Sequence, residues 1–493
     1  MRGRWGSAVT SVLVAGLLGA APAATATSAA PRNRTRADRP AGVPSPVCRP
    51  RTTSPVARLR VVHVQPITAR VTRYTFFSSA LGGQVRANVL LPAGYADPAQ
   101  AARRYPVLLL LHGAAGDADD WVRHGVERVV GDTPMIVVMP DGGTGGWYTD
   151  WFGAEVTRPA TFTPPAWETF HLRELLPWVD ATFRTIADRQ HRVIAGLSMG
   201  GFGTMSYAAR HPDLFVAAGS FSGAVDTDLM WPLLPMALGY VGTPPSMCIW
   251  GDPVTQQANL EGHDPTVLAP SLGDTTLFAA WGNGQAGPLD TPSSQASGLL
   301  EMVIAPMNAG FVQAVQRSGI PITAWSYGPG THSWPYWLRD LAKFLPMAMA
   351  AIARPSPTPA TDPTHPFDYR SAEPTFGVWG WTFRARHDPQ AFTDLTSVTR
   401  SGLTVRGAGQ LDVTTPPLYR PGAAYLVSGA QEPAPGIVIA DRRGRLTFTV
   451  DLADRAPAAA VASLSALGQF LAQPLPLDGT VAGAAHVTIR PLA

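Results

Sequence analysis

Between Arg192 and Gly203 the chain reads Arg-Val-Ile-Ala-Gly-Leu-Ser-Met-Gly-Gly-Phe-Gly, an apolar strand running directly into Gly196-Leu197-Ser198-Met199-Gly200. A serine on a tight strand-to-helix turn holds strained backbone geometry, and bulky neighbours are excluded on both sides of it. Such a turn lifts the Ser198 hydroxyl clear of a sheet, at the N-terminus of the following helix. There, backbone N–H groups and the helix dipole stabilise an oxyanion. The pentapeptide alone is a weak signal in a chain of 493 residues with 48 glycines. Its context strengthens it: the strand before, and a small-residue helical stretch at 205–209 after.

The flanking sequence repeats this strand-then-helix texture. Strand-like segments at 59–64, 73–77 and 85–91 lead into fully apolar runs at 107–111 and 135–139. Further strands are expected at 215–220, 276–280 and 322–327. Between them, 121–130 is helix-like. In 167–183, Leu172, Leu175, Leu176, Val179 and Phe183 recur at helical spacing, and Pro177 should kink that helix. Continuous apolar strands alternating with helices predict an α/β fold with a mostly parallel sheet covered on both faces.

The texture changes past residue 353. Residues 354–367 are rich in Pro, Thr and Ser, as a linker should be. Residues 368–493 read as an all-β, sandwich-like accessory domain, with short apolar runs at 377–385, 403–406, 411–414, 424–427, 437–440, 446–450 and 487–489. An Ala/Leu-rich stretch at 458–472 fits a short helix or an extended loop. The run Trp379-Gly380-Trp381-Thr382-Phe383 has two readings: a polymer- or carbohydrate-binding surface such as a cell wall would engage, or the aromatic core of a strand.

At the other end, Arg2 and Arg4 precede an apolar run at 8–18 and then small residues. This is the pattern of a secretory signal peptide, assigned to 1–29 and followed by a flexible Arg/Pro/Ala-rich leader at 30–55. The folded α/β domain is then 56–353, outside the cytoplasm, with no further segment expected to span a membrane. In that oxidising setting Cys48 and Cys248 can form one disulfide, but the sequence does not fix their distance. A net charge of +3 and no basic stripe argue against nucleic-acid binding. His171, His191, His211 and His263 lack metal-ligand spacing, so no metal or other cofactor is expected.

A serine hydroxyl needs an imidazole to remove its proton and a carboxylate to orient that imidazole. In a strand–elbow–helix fold these follow in the order nucleophile, acid, base. His332, on the loop after strand 322–327, fits the base. The acid falls between 280 and 332, where Asp290 and Glu301 are equal candidates from pattern alone. The oxyanion hole is assigned to the backbone N–H groups of Met199 and Ala114, the latter in the loop His112-Gly113-Ala114-Ala115-Gly116.

Four motifs, Gly330-Thr331-His332-Ser333-Trp334-Pro335-Tyr336-Trp337, Trp147-Tyr148-Thr149-Asp150-Trp151, Trp167-Glu168-Thr169-Phe170 and Trp281-Gly282-Asn283-Gly284, resemble the esterase D-type α/β-hydrolases. Within that group the likeness is to secreted actinobacterial esterases and mycolyltransferases, over about residues 59–353. The resemblance implies an α/β-hydrolase fold, an acyl-enzyme on Ser198, and Glu301 as the acid. It also implies that Trp334, Asp150 and Trp147 line the substrate site. Mycolyltransferases of this group open the oxyanion loop with Asp-Gly-Leu-Arg, whose arginine helps bind a trehalose-linked substrate. Here that position reads His112-Gly113-Ala114-Ala115. The expectation is therefore a secreted serine carboxylesterase acting on a small-molecule or lipid ester. An acyltransferase with a sugar or glycerol acceptor is the alternative, and a catalytically silent binding protein a third reading.

Overall fold

The computed structural model describes residues 48–492, except 53–55, 160, 231–247, 253–255, 293, 295–296, 387–390, 431–435 and 453–482. The signal peptide, most of the leader and the 458–472 stretch lie outside the described residues.

The first half is built on a nine-stranded sheet. Its spatial order is Ile322–Ser326, Thr276–Trp281, Ala217–Phe221, Arg192–Leu197, Val107–Leu111, Ile136–Pro140, Gly83–Leu90, Val71–Ser78 and Arg60–Pro66. The first six are parallel neighbours; the last three pairings are antiparallel. The sheet is thus mixed, not mostly parallel as the sequence suggested. Short turns join the three N-terminal strands, whereas a parallel crossover needs about a dozen residues or more, so these strands fold back on one another.

The central strands are apolar on both faces because both are covered. Leu109 and Leu111 pack with Met199, Phe202 and Met205 of the helix Met199–Arg210. Leu108 and Leu110 pack with Trp337, Leu341 and Phe344 of the helix Trp334–Ala353. A third long helix, Gly298–Arg317, sends Ile304, Met307, Phe311 and Val315 into the first of these cores. It is apolar and long enough to cross a membrane, contrary to expectation, but half of it is buried in this core.

Two expected helices are broken. Residues 121–130 form two short helices, Asp120–Arg123 and Val126–Val130, separated by Gly125 at φ +88°. Residues 167–182 run as an α-turn, a π-helical stretch Phe170–Leu175 and the α-helix Leu176–Thr182. Pro177 has no N–H for the regular ladder and its ring opposes the carbonyl four residues back; the wider π turn accommodates it.

The leader's end is fixed. Cys48–Pro50 pairs antiparallel with Gly153–Glu155, and Cys48 is disulfide-bonded to Cys248.

Beyond the linker, a six-stranded and a four-stranded antiparallel sheet share one core. Trp379, Trp381 and Phe383 are all buried there, with Trp381 and Phe383 stacked at 6.1 Å. The aromatic run is therefore core and offers no binding surface. The sandwich packs on the first half: Tyr369 Oη donates to the Arg210 carbonyl at 2.7 Å, Glu373 pairs with Arg210 at 3.0 Å, and Arg189 sits over the Trp379 ring.

Candidate active site

In a doubly covered sheet, ligands meet the carboxyl ends of the strands where the connection order reverses. Here that point lies between Val107–Leu111, whose next strand joins one side, and Arg192–Leu197 on the other side. Leu111 runs into the 112–116 loop and Leu197 into Ser198. Ser198 adopts φ 54°, ψ −119°, the strained conformation of a nucleophile elbow, and is half-buried. Its neighbours must be small. A Cβ on Gly200 would lie 2.6 Å from the carbonyl oxygens of Leu111 and His112, and one on Gly113 would lie 2.6 Å from Leu197 Cδ1 and 3.4 Å from Ser198 Cβ. The close approach brings the 112–116 loop against the serine.

Met199 is the first residue of its helix, so its N–H has no intrahelical carbonyl. Ala114 is exposed on the 112–116 loop. The loop is shaped from beneath by His112, which is buried. Its Nε2 accepts from the Gly142 N–H at 2.8 Å, so Nδ1 carries the proton and donates to the Gly113 carbonyl at 2.7 Å. Tyr148 Oη donates to the His112 carbonyl at 2.9 Å. Beside this ring, burial works to raise Asp141. The Gly143 N–H, donating to its Oδ1 at 3.0 Å, and the Arg86 charge act the other way, and the carboxyl sits below its usual range.

His332 stands on the loop after Ile322–Ser326, and Glu301 lies in the first turn of Gly298–Arg317. His332 Nδ1 donates to Glu301 Oε2 at 2.6 Å. Glu301 is fully buried, and its Oε1 accepts from Ser222 Oγ at 2.8 Å and from the Gly282 N–H at 2.7 Å. Three donors converge on one carboxylate, which fixes it as an acceptor and fixes the imidazole with Nε2 as its free base. Nε2 is buried and has no partner among the described residues. Its contact with the Ser198 hydroxyl is therefore open in this structure; catalytic hydrogen bonds of this kind tighten in the substrate complex. Trp337 packs edge-on against the imidazole at 5.0 Å.

Ser222 escaped the sequence reading. It follows Ala217–Phe221 at φ 47° and donates its N–H to the Ala280 carbonyl at 2.7 Å, which aims its hydroxyl at Glu301. A polar residue at the carboxyl end of the strand beside the elbow was the available signal. Asp290, the other candidate acid, does not contact His332; it bonds Thr331 and Tyr336 instead.

The three expected substrate residues divide. Trp334 is half-exposed, stacks on His124 at 3.8 Å and meets Trp337 edge-on, so it extends an aromatic wall from His332. Trp147 is buried, packed edge-on to Phe202 and Trp250, and supports the elbow helix from within. Asp150 accepts from the Thr169 N–H at 3.0 Å and pairs with Arg51 at 3.2 Å, capping the turn that begins at Trp167.

Residues 78–348 match the sequence model of the family described as "Putative esterase". Esterase Rv1288 of Mycobacterium tuberculosis is 34% identical over 273 residues, 53% of this chain and 56% of that protein. The diacylglycerol acyltransferase/mycolyltransferase Ag85B of Mycobacterium leprae is 31% identical over 249 residues, 49% of this chain and 74% of that protein. A ferulic acid esterase of known structure is 26% identical, with a TM-score of 0.41, covering 57% of this chain and 98% of its own. The match to the first of these relatives spans only about half of that protein's length.

Proposed function

The chain belongs to this esterase family, and from that premise we propose that it is an exported serine carboxylesterase working through an acyl-enzyme on Ser198. The observation that carries the reading is the 2.6 Å hydrogen bond from His332 Nδ1 to buried Glu301, on the same edge of the sheet as the strained serine. Ser198 Oγ attacks the ester carbonyl while His332 Nε2 takes its proton, and Glu301 stabilises the imidazolium that forms. The N–H groups of Met199 and Ala114 receive the oxyanion, each donor worth about 3 kcal/mol in the transition state. His332 then returns the proton to the leaving alcohol, and water, activated by the same nitrogen, attacks the acyl-enzyme to regenerate Ser198.

Water is favoured as acceptor because residues 112–116 carry no cationic arm toward the site; His112 is turned inward and bonded. Transfer to an alcohol is the second reading, supported by the 31% identity to a mycolyltransferase. Export rests on the N-terminal 29 residues.

Ser198→Ala should lower turnover of a short-chain aryl ester by about 10³-fold or more. A fluorophosphonate should label the native protein and leave the variant unlabelled. Normal turnover in the variant would overturn the assignment. Adding glycerol or trehalose and analysing products decides the acceptor: ester formation outrunning acid release selects transfer.

A further inference from the structure

Asp290 lies in the loop between Thr276–Trp281 and Gly298–Arg317, forty-two residues before His332 and outside the Glu301 pair. Its carboxylate is saturated with donors from two segments. From its own loop it accepts the Gly287 N–H at 2.7 Å on Oδ2 and Ser294 Oγ at 2.9 Å on Oδ1. From the histidine-bearing segment it accepts Thr331 Oγ1 on Oδ1 and Tyr336 Oη on Oδ2, the latter at 2.9 Å. Thr331 immediately precedes His332, and Tyr336 lies in the first turn of the helix that follows it. Both are fully buried. One carboxylate therefore grips the chain on both sides of the imidazole.

The segment it grips needs holding. It runs Gly328-Pro329-Gly330-Thr331-His332, with Gly328 at φ +75°. Glycines give such a loop much conformational freedom to lose. Backbone bonds tie it to the same partner loop: Gly330 N–H to the Gln285 carbonyl at 2.7 Å, Gly284 N–H to the Gly330 carbonyl at 3.0 Å, and Asn283 N–H to the Gly328 carbonyl at 2.8 Å. A general base must keep its nitrogen placed to within a fraction of an ångström of two successive oxygens, the serine's and the leaving alcohol's.

We propose that Asp290 is a positioning residue for His332, a carboxylate latch that fixes the imidazole by binding Thr331 and Tyr336 on either side of it. The proposal rests on the reading of His332 as general base. Burial works against the Asp290 charge, but its bonds to Thr331, Gly287, Tyr336 and Ser294 outweigh this and hold the carboxyl below its usual range. The latch therefore stays charged around neutral pH.

The test compares Asp290→Asn, Asp290→Glu, Thr331→Val and the double variant Asp290→Asn/Thr331→Val in the full chain, with an aryl ester as substrate. Asn keeps the size but presents an amide donor where donors already converge. It should lower kcat by about 10- to 100-fold while KM changes by less than about twofold. Asp290→Glu should recover part of the rate. In the Thr331→Val background, Asp290→Asn should cost clearly less than it does alone, since the two share the Thr331 contact and only the Tyr336 contact remains to be lost. A kcat within about twofold of native for Asp290→Asn, a KM change as large as the kcat change, or full additivity of the two substitutions would overturn the latch. A thermal midpoint on each variant separates a rate effect from loss of folded protein. If Ser198→Ala retained activity, the reading of the site itself would fail; an inactive Ser198→Ala beside an unaffected Asp290→Asn removes only the latch.

Discussion

In the catalytic half, Glu168, His171, Arg210, His263, Glu301 and His332 are all withdrawn from solvent. In the sandwich, the buried polar side chains among the described residues are Ser371, Thr393 and Thr415; its ion pairs range from the partly buried Arg370–Asp394 to the more exposed Arg386–Asp412 and Arg445–Asp441. The sandwich core is made by alternation alone, Leu411 and Val413 inward with Gln410, Asp412 and Thr414 between them. Burying a charge costs several kcal/mol unless it is paired and fully hydrogen-bonded, so a fold keeps one only where geometry or chemistry needs it. On the proposed reading, Glu301 and His332 serve the chemistry. Arg210 serves geometry: it ends the helix that Ser198 begins, and it binds Glu168, the Gly262 carbonyl and Glu373 of the sandwich segment. The accessory half is thereby joined to the nucleophile helix through a largely buried cation.

The sharpest way to break this contrast is at that cation. Burial opposes the Arg210 charge, but Glu168 and Glu373 outweigh it and push its pKa above the ordinary guanidinium value. Arg210→Met removes the positive centre and leaves Glu168 buried without its main partner. The expected loss is about 3–5 kcal/mol in urea unfolding, as for other buried pairs broken on one side. A loss below about 1 kcal/mol would mean the cluster contributes little and the contrast between the halves is compositional only.

Acid unfolding sharpens the comparison next. Burial lowers the pKa of His171 to about 4, and burial together with Arg210 lowers that of His263 to about 4. Both are neutral in the fold: His171 Nε2 donates to the Asp141 carbonyl at 2.9 Å and Nδ1 accepts from Tyr207 Oη, while His263 Nδ1 donates to the Asn259 carbonyl. Between about pH 6.5 and 4 the unfolded chain binds these protons and the folded one does not, so stability falls as pH falls through that window. Each histidine contributes at most about 3 kcal/mol to the drop. Glu168, held well below the usual carboxylate range, adds its own loss only at lower pH, as protonation of the unfolded carboxyl begins. Denaturant titrations at pH 7 and pH 4.5 should show the decline, and His263→Gln should flatten it. An equal slope in both proteins would place the acid sensitivity elsewhere.

What the sequence showed of all this follows the range of the interactions. The elbow at Ser198 was legible because its strand, turn and helix are contiguous, and His332 because it follows the last strand of the sheet. Glu301 was not separable from Asp290 by pattern: both lie before His332, and only the family resemblance favoured the glutamate that the fold brings to 2.6 Å. Ser222 was missed although its place at a strand's carboxyl end was readable, because its aim at Glu301 depends on strand pairing that the sequence does not show. Cys48 and Cys248 stand 200 residues apart, a separation that carries no distance. The mixed sheet could have been read from the short connections at its N-terminal edge, had turn length been weighed against apolar texture. Trp147 and Asp150 were drawn toward the site by motif, while their packing and capping duties come from partners at Trp250 and Thr169, distant in the chain.

The smallest effect should come from the sandwich. Arg386 and Asp412 pair across adjacent strands, and the Arg386 side chain is half-exposed. Thr449 Oγ1 also donates to the Asp412 carboxylate at 2.7 Å. Water solvates both charges almost as well as they solvate each other, and ordering the long arginine offsets much of what remains. Asp412→Asn keeps an acceptor for Thr449 and removes only the charge, so urea unfolding should change by no more than about 0.5 kcal/mol, with turnover of the aryl ester unaltered. Set beside Arg210→Met, this contrasts a charge lost from the interior together with its hydrogen bonds with a charge lost alone near the surface. A loss above about 1.5 kcal/mol at Asp412 would show that strand-to-strand ion pairs help hold the sandwich, and the division between the halves would have to be redrawn around cross-strand pairing.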